Sequence, residues 1–138
     1  MEKLFDYFYG VNFLSEQIEL NNNHAWVCYY IVEHTADIDL IRREAMKTVL
    51  LIDEQSHEFG FYGKQAQLWE NTFDDVEIEM RPDADSDEIA LTMVFHSLDE
   101  FVECLQTHIS VGHFVPRDTY LMYDDEDIYE KVLGRLEY

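Results

Sequence analysis

Positive charge is what this chain has least of. Nine Lys and Arg stand against thirty Asp and Glu, a formal net charge of −21 over 138 residues. That balance argues against nucleic acid as a direct ligand, because its phosphates would be repelled at every approach. Proline (two) and glycine (five) are scarce and scattered, so no low-complexity linker marks off a second domain. Cys28 and Cys104 are the only cysteines. They form no CxxC pattern and sit in apolar-periodic segments, where a buried free thiol is the default. A bridge between them would need the fold to bring them side by side. No run approaches the roughly 18 apolar residues of a membrane-spanning helix, and MEKLFDYFYG lacks the basic start and apolar run of a signal peptide. The expected setting is the reducing cytoplasm, with no membrane partner.

What is present is a core. Hydrophobic residues make up 47% of the chain, with nine Phe and nine Tyr, which argues against disorder. A chain of this length fits one domain, expected over residues 1–138, that buries about two-thirds of its unfolded surface.

Residues 74–106 organise the reading. Val76, Ile78 and Met80 alternate with Glu77 and Glu79, and Ile89, Leu91, Met93 and Phe95 mark one face of a second run. With the polar turn PDADSDE between them, the pair is predicted to be a β-hairpin. Ser97 followed by Glu100 makes a capping-box start for a helix that puts Leu98, Phe101, Val102 and Leu105 inward.

Upstream, Leu4, Phe5 and Phe8 predict a short helix over 2–9, ended by Gly10. The run HAWVCYYIVEH is apolar on both faces and reads as a central strand. Thr35 and Asp37 are placed to cap a helix carrying Ile38, Ile41, Ala45 and Val49, with a basic cluster of Arg42, Arg43 and Lys47. This helix either reaches about Asp53 or gives way near Thr48 to a short strand, VLLI, over 49–52; periodicity leaves both open. Residues 54–73 read as an irregular connection with a packed aromatic anchor and a short helical run near Trp69. Residues 110–113 read as a turn and Thr119–Tyr123 as a strand. The last helix carries Ile128, Val132 and Leu136, with Asp124–Asp127 in its first turn, where the macrodipole favours negative charge.

The central order is strand, helix, strand, strand, helix, strand. It predicts a single α+β domain of the ferredoxin-like, split βαβ kind. That fold has an antiparallel sheet with helices on one face, here with extra N- and C-terminal helical segments. The insertion at 54–73 leaves other α+β arrangements open.

Reaction motifs are missing. Asp83, Asp85 and Asp87 imitate the opening of a calcium loop, but the sixth and twelfth places hold Glu88 and Val94 instead of Gly and Glu. Six histidines (His24, His34, His57, His96, His108 and His113) show no zinc spacing. Cys104 and His108 share a helical face, yet Glu103, Asp99 and Glu100 surround the thiol and should raise its pKa, the opposite of what a nucleophile needs. No P-loop, GxGxxG or Gly-x-Ser-x-Gly element occurs. Neither catalysis, metal nor cofactor is expected.

The distribution of charge is the positive signal. Twelve carboxylates fall between Glu70 and Glu103 with Arg81 as the lone cation, and six more fall between Asp118 and Glu130 with none. Carboxylates held on ordered elements present a fixed anionic lattice that suits a basic partner and speeds its approach. The expected partner-binding residues are Asp74, Asp75, Glu77, Glu79, Asp83, Asp85, Asp87, Glu88, Asp99, Glu103, Tyr123, Asp124, Asp125 and Asp127. Tyr120, Tyr123, Tyr129 and Trp69 are available as aromatic anchors, with core packing as the plain alternative.

The expectation is an acidic inhibitor of a basic protein partner. The favoured setting is an immunity protein for a cognate nuclease toxin, acting as a monomer or weak dimer. A DNA mimic directed at a DNA-binding protein is the close variant. The alternatives are a small metal-dependent enzyme, an oligomerising subunit, and acidity that only solubilises.

Overall fold

The computed structural model describes residues 1–17, 20, 25–49, 58–84 and 90–137. Among them, six strands and four helices run in the order β1 (Glu2–Phe5), β2 (Phe8–Asn12), β3 (Ala25–Ile31), α1 (Ile38–Val49), β4 (Glu58–Tyr62), α2 (Ala66–Met80), β5 (Leu91–Phe95), α3 (Leu98–Gly112), β6 (Arg117–Tyr123) and α4 (Glu126–Leu133). The strands form one sheet in the order β1-β2-β6-β3-β4-β5. Only β1 and β2 pair antiparallel; every other neighbouring pair is parallel. No helix among the described residues is long and apolar enough to cross a membrane.

A mixed α and β domain is therefore found, but the antiparallel ferredoxin-like sandwich is corrected. The cause lies in one segment. Val76–Met80, expected as a strand, is the last part of α2. Trp69, Phe73, Val76 and Met80 recur at helical spacing and line the inner side of that helix, while Ile78 is 64% exposed. A strict alternation of apolar and acidic residues over five positions fits both periods, and Trp69 and Phe73 upstream of it decide for the helix. With no hairpin there, a helix separates each of β3, β4, β5 and β6 from the next, and such connections build parallel pairs.

The helices cover both faces of the sheet, not one. On one face α1 and α2 pack Ile41, Ala45, Val49, Trp69 and Phe73 against Trp26, Cys28 and Tyr30. On the other, α3 and α4 pack Phe101, Leu105, Ile109, Tyr129 and Val132 against Val27, Tyr29 and Ile31. Successive β3 residues thus serve opposite cores, and every one from Trp26 to Ile31 is fully buried, as its sequence predicts for a central strand.

Three further expectations are corrected. Residues 2–9 form a hairpin, because the aromatic residues there pack better on a sheet than on an isolated short helix; Phe8 and Val11 of β2 reach opposite cores. Within 54–73 the helical run expected near Trp69 is found as the start of α2, but Glu58–Tyr62, expected to be irregular, forms β4. The turn expected at 110–113 is taken up by α3, which continues through Gly112. Strands β3 and β6, helix α1 and the Ser97 cap stand where the sequence puts them, and α4 does too except that it ends at Leu133, leaving Leu136 beyond the helix; the Ser97 hydroxyl accepts from the Glu100 N–H at 3.2 Å. Residues 50–53, over which the choice between helix and strand arose, lie outside the described residues.

Gly60 explains how β4 fits between bulky neighbours. A Cβ there would lie 2.4 Å from the Tyr29 ring and 2.8 Å from Phe95. Gly10 makes the same room for Tyr129, whose hydroxyl would sit 1.9 Å from an added Cβ.

Candidate interaction surface

The chain steps outward from β3 to β4 to β5, and α3 then carries it back to β6 on the other side of β3. The carboxyl ends of β3 and β6 therefore flank a topological switch point, where open parallel sheets commonly receive ligands. Here the chain fills that place itself. The Asp124 carboxylate accepts from the backbone N–H groups of Glu33 at 2.9 Å, His34 at 3.0 Å and Thr35 at 2.8 Å, and from the Thr35 hydroxyl at 2.8 Å. Successive backbone N–H groups make an anion-holding concavity, and Asp124 is its anion.

Neighbouring contacts lock the same rim. Asp125 caps α4 by accepting from the Ile128 N–H at 2.8 Å. It also meets His34 Nε2 at 2.7 Å. The Ile128 N–H, and then His34, hold the Asp125 carboxyl below its ordinary pKa. The Trp69 indole donates to the Thr35 carbonyl at 2.8 Å, and the Lys64 N–H to Glu33 Oε2 at 3.0 Å. Tyr123 lies stacked on Tyr129 at 3.8 Å, so it belongs to the packing under α4. Of the residues expected at this rim, Asp127 faces solvent, as do Asp37, Asp39 and Glu126.

The rim is acidic for a structural reason. In a parallel sheet covered by helices, each helix after a strand begins at the carboxyl edge, and helix N-termini favour carboxylates. Asp37 accepts from the Asp39 and Leu40 N–H groups, Asp99 and Glu100 open α3, and Glu126 and Asp127 open α4. The topology gathers these onto one edge of the molecule.

The remaining expected residues fall elsewhere. On α2, Asp74 accepts from the Thr92 hydroxyl at 2.9 Å. Glu77 is 4% exposed and accepts from the Ala90 N–H at 2.8 Å. Both tie α2 to the start of β5. Glu79 is held by Arg42 through bonds of 2.5 and 3.3 Å, which lower the Glu79 carboxyl pKa. Asp75 and Asp83 are exposed, and Asp85, Asp87 and Glu88 lie outside the described residues. On α3, Asp99 pairs with Arg135 at 2.7 Å, and Glu103 is exposed. Because α2 and α3 cover opposite faces of the sheet, these residues surround the molecule instead of forming one lattice.

The structure also assembles a buried polar cluster that sequence reasoning saw only in part. Under α3, the Tyr29 hydroxyl donates to Glu58 Oε2 at 2.7 Å and meets His108 Nε2 at 2.7 Å. Arg117 Nη2 lies 3.2 Å from His108 Nδ1, and the Cys104 thiol donates to the Tyr29 hydroxyl at 3.5 Å. An Arg N–H can meet only a ring lone pair, so Nδ1 accepts and Nε2 carries the hydrogen that reaches Tyr29. His108, whose Nε2 also lies 3.4 Å from Glu58 Oε2, and the hydrogen bond from Tyr29 hold the Glu58 carboxyl down at about 2 against its burial. Burial raises the Cys104 thiol, and burial followed by the bond to Glu58 raises the Tyr29 hydroxyl. The Tyr29 hydroxyl, the His108 Nε2–H and the Cys104 thiol each have an acceptor, and the thiol is kept in its unreactive form. This is a clamp between α3 and the sheet. The helical spacing of Cys104 and His108 was its one local signal; Tyr29, Glu58 and Arg117 arrive from three different strands. Among the described residues no group of three or more His, Cys, Asp or Glu is placed to hold a metal ion.

No protein-family model matches this chain, and neither a curated protein nor a solved structure does.

Proposed function

We propose that this protein binds and neutralises a basic protein partner through its exposed carboxylates, and that it serves as an immunity protein against a cognate nuclease toxin. One observation carries the reading. Lys3, Arg42, Lys47, Lys64, Arg81 and Arg135 each lie within ion-pair reach of one of the chain's own carboxylates. Most of the positive charge is thereby neutralised internally, and Asp75, Asp83, Glu100, Glu103, Glu126, Asp127 and Glu130 still face solvent. They stand on or beside helices packed against the sheet, two of them capped by Ser97 and Asp125, so their spacing is fixed before any partner arrives. A nuclease suits such a surface because its cleft is built to receive closely spaced phosphates, and fixed carboxylates can occupy it in their place. The switch point, where this kind of sheet would hold a small anionic substrate, is filled by Asp124, which further favours binding over catalysis.

The test is capture of partners from the native organism's lysate on the tagged protein, eluted in salt steps and followed by nuclease assay. The expected result is one basic protein recovered near one-to-one, released only at high salt, with nuclease activity that the purified chain suppresses. A smear of basic proteins lost at modest salt, or a single partner whose activity is unaffected, would overturn the reading.

A further inference from the structure

The two edges of the sheet are finished differently. At one end β1 is four residues long and bulged between Lys3 and Phe5, and Lys3 reaches Asp6 at 3.4 Å. A short, bulged, lysine-bearing edge is the usual protection against pairing with another chain. At the other end β5 is five residues long and has neither bulge nor lysine. Its sequence, LTMVF, contains no charge, proline or glycine, and it pairs with β4 in unbroken register from Leu91 to Phe95. Every second residue of such a strand turns its N–H and C=O away from the sheet.

A groove runs beside this edge. It has a volume of about 410 Å3 and lies between the end of α2 and the start of β5, lined by Ile78, Pro82, Leu91 and Thr92 among others. Ile78 and Leu91 are 64% and 55% exposed, so two large apolar side chains stand in water within one cleft. Asp74 and Glu77 also line it, and its one cation, Arg81, lies 3.9 Å from Glu77. The exposed carboxylates of Asp75, Glu79 and Asp83 continue the charge along α2 and beyond.

We infer that the basic partner adds an extended segment to the edge of β5 that no strand among the described residues pairs with. Its apolar side chains would enter the groove against Ile78 and Leu91, and its Lys or Arg side chains would meet the carboxylates of α2. Main-chain hydrogen bonds supply affinity in this mode of recognition, and alternate side chains supply specificity. A second copy of this chain is a poor occupant, because it brings a net charge of −21 to the same place. The inference rests on the proposed function and names the surface through which it operates.

The probe is a short synthetic peptide of alternating Lys and Val, with an alternating Glu–Val peptide as control. Backbone NMR is recorded on the intact protein with amide hydrogen exchange. In the free protein, the outward amides of β5 are expected to exchange far faster than those of β3. The Lys–Val peptide is expected to shift resonances of residues 91–95 and Ile78, to slow exchange at the outward amides, and to bind at least about tenfold more tightly than the Glu–Val peptide. Leu91→Lys and, separately, Ile78→Lys should each weaken binding about tenfold at unchanged melting temperature, since both sites are already exposed. Outward β5 amides protected in the free protein would overturn the inference, as the edge would already be covered. Peptide binding that shifts only other acidic surfaces would overturn it too, while leaving the charge-based function standing. No binding of the Lys–Val peptide at low salt would count against both.

Discussion

Asp124 and Asp83 carry the same side chain and do opposite work. Asp124 is wrapped by three backbone N–H groups and a hydroxyl, and its charge is used to join the ends of β3 and β6. Asp83 lies exposed in the turn beyond α2, and its charge is directed at whatever approaches. The comparison extends over the molecule. Glu77, Glu58 and Asp125 belong with Asp124 as structural anions, and Asp75, Glu103 and Asp127 with Asp83 as outward ones. A count of carboxylates cannot separate the groups. Only the outward set is available to a partner, so the effective anionic surface is smaller than the composition implies and lies along α2, α3 and the carboxyl rim.

The comparison can be broken most severely at Asp124. Asp124→Ala leaves four donors without their acceptor and should cost about 3 kcal/mol, or roughly 10 °C in Tm. Asp124→Asn, which keeps one carbonyl oxygen, should recover part of that loss. Next comes Glu77→Ala, which orphans the Ala90 N–H in a buried setting and should cost about 2 kcal/mol in urea unfolding. Both losses should occur with no partner present.

Glu58 sharpens the contrast through pH. Its carboxyl sits at about 2 in the folded chain, against an ordinary 4.5, chiefly because of His108 and then Tyr29. A depressed carboxyl contributes stability that is fully present above its unfolded pKa. That contribution is lost as pH falls from about 4.5 towards about 2. Urea unfolding across that window should show the decline, and Glu58→Gln should flatten it. The smallest effect is expected from the outward set. Asp75→Asn, Asp83→Asn and Glu103→Gln should each change stability by no more than about 0.5 kcal/mol.

How far the sequence discloses this division follows from how local each signal is. The capping carboxylates were legible, because Asp125 and the acidic first turn of α4 sit a fixed distance from the apolar stripe of Ile128 and Val132. The central strand was legible from its two apolar faces, and α1 from Ile38, Ile41, Ala45 and Val49. Residues 76–80 were not, because VEIEM satisfies both a strand and a helix. That one ambiguity converted a parallel sheet into an antiparallel expectation. Nor was the role of Asp124 legible, since its partners lie some ninety residues upstream, nor the clamp of Tyr29, Glu58 and His108, whose members meet only once the sheet has formed.

The most direct measurement is the association rate of the captured partner with the outward and structural variants, by stopped-flow over a range of salt. Asp75→Lys, Asp83→Lys and Glu103→Lys combined should slow association by about tenfold or more at low salt and flatten its salt dependence. Asp124→Asn, assayed at a temperature where it stays folded, should associate as the parent does. Unchanged association for the triple variant would contradict the account, because the outward carboxylates would then have no part in recognition.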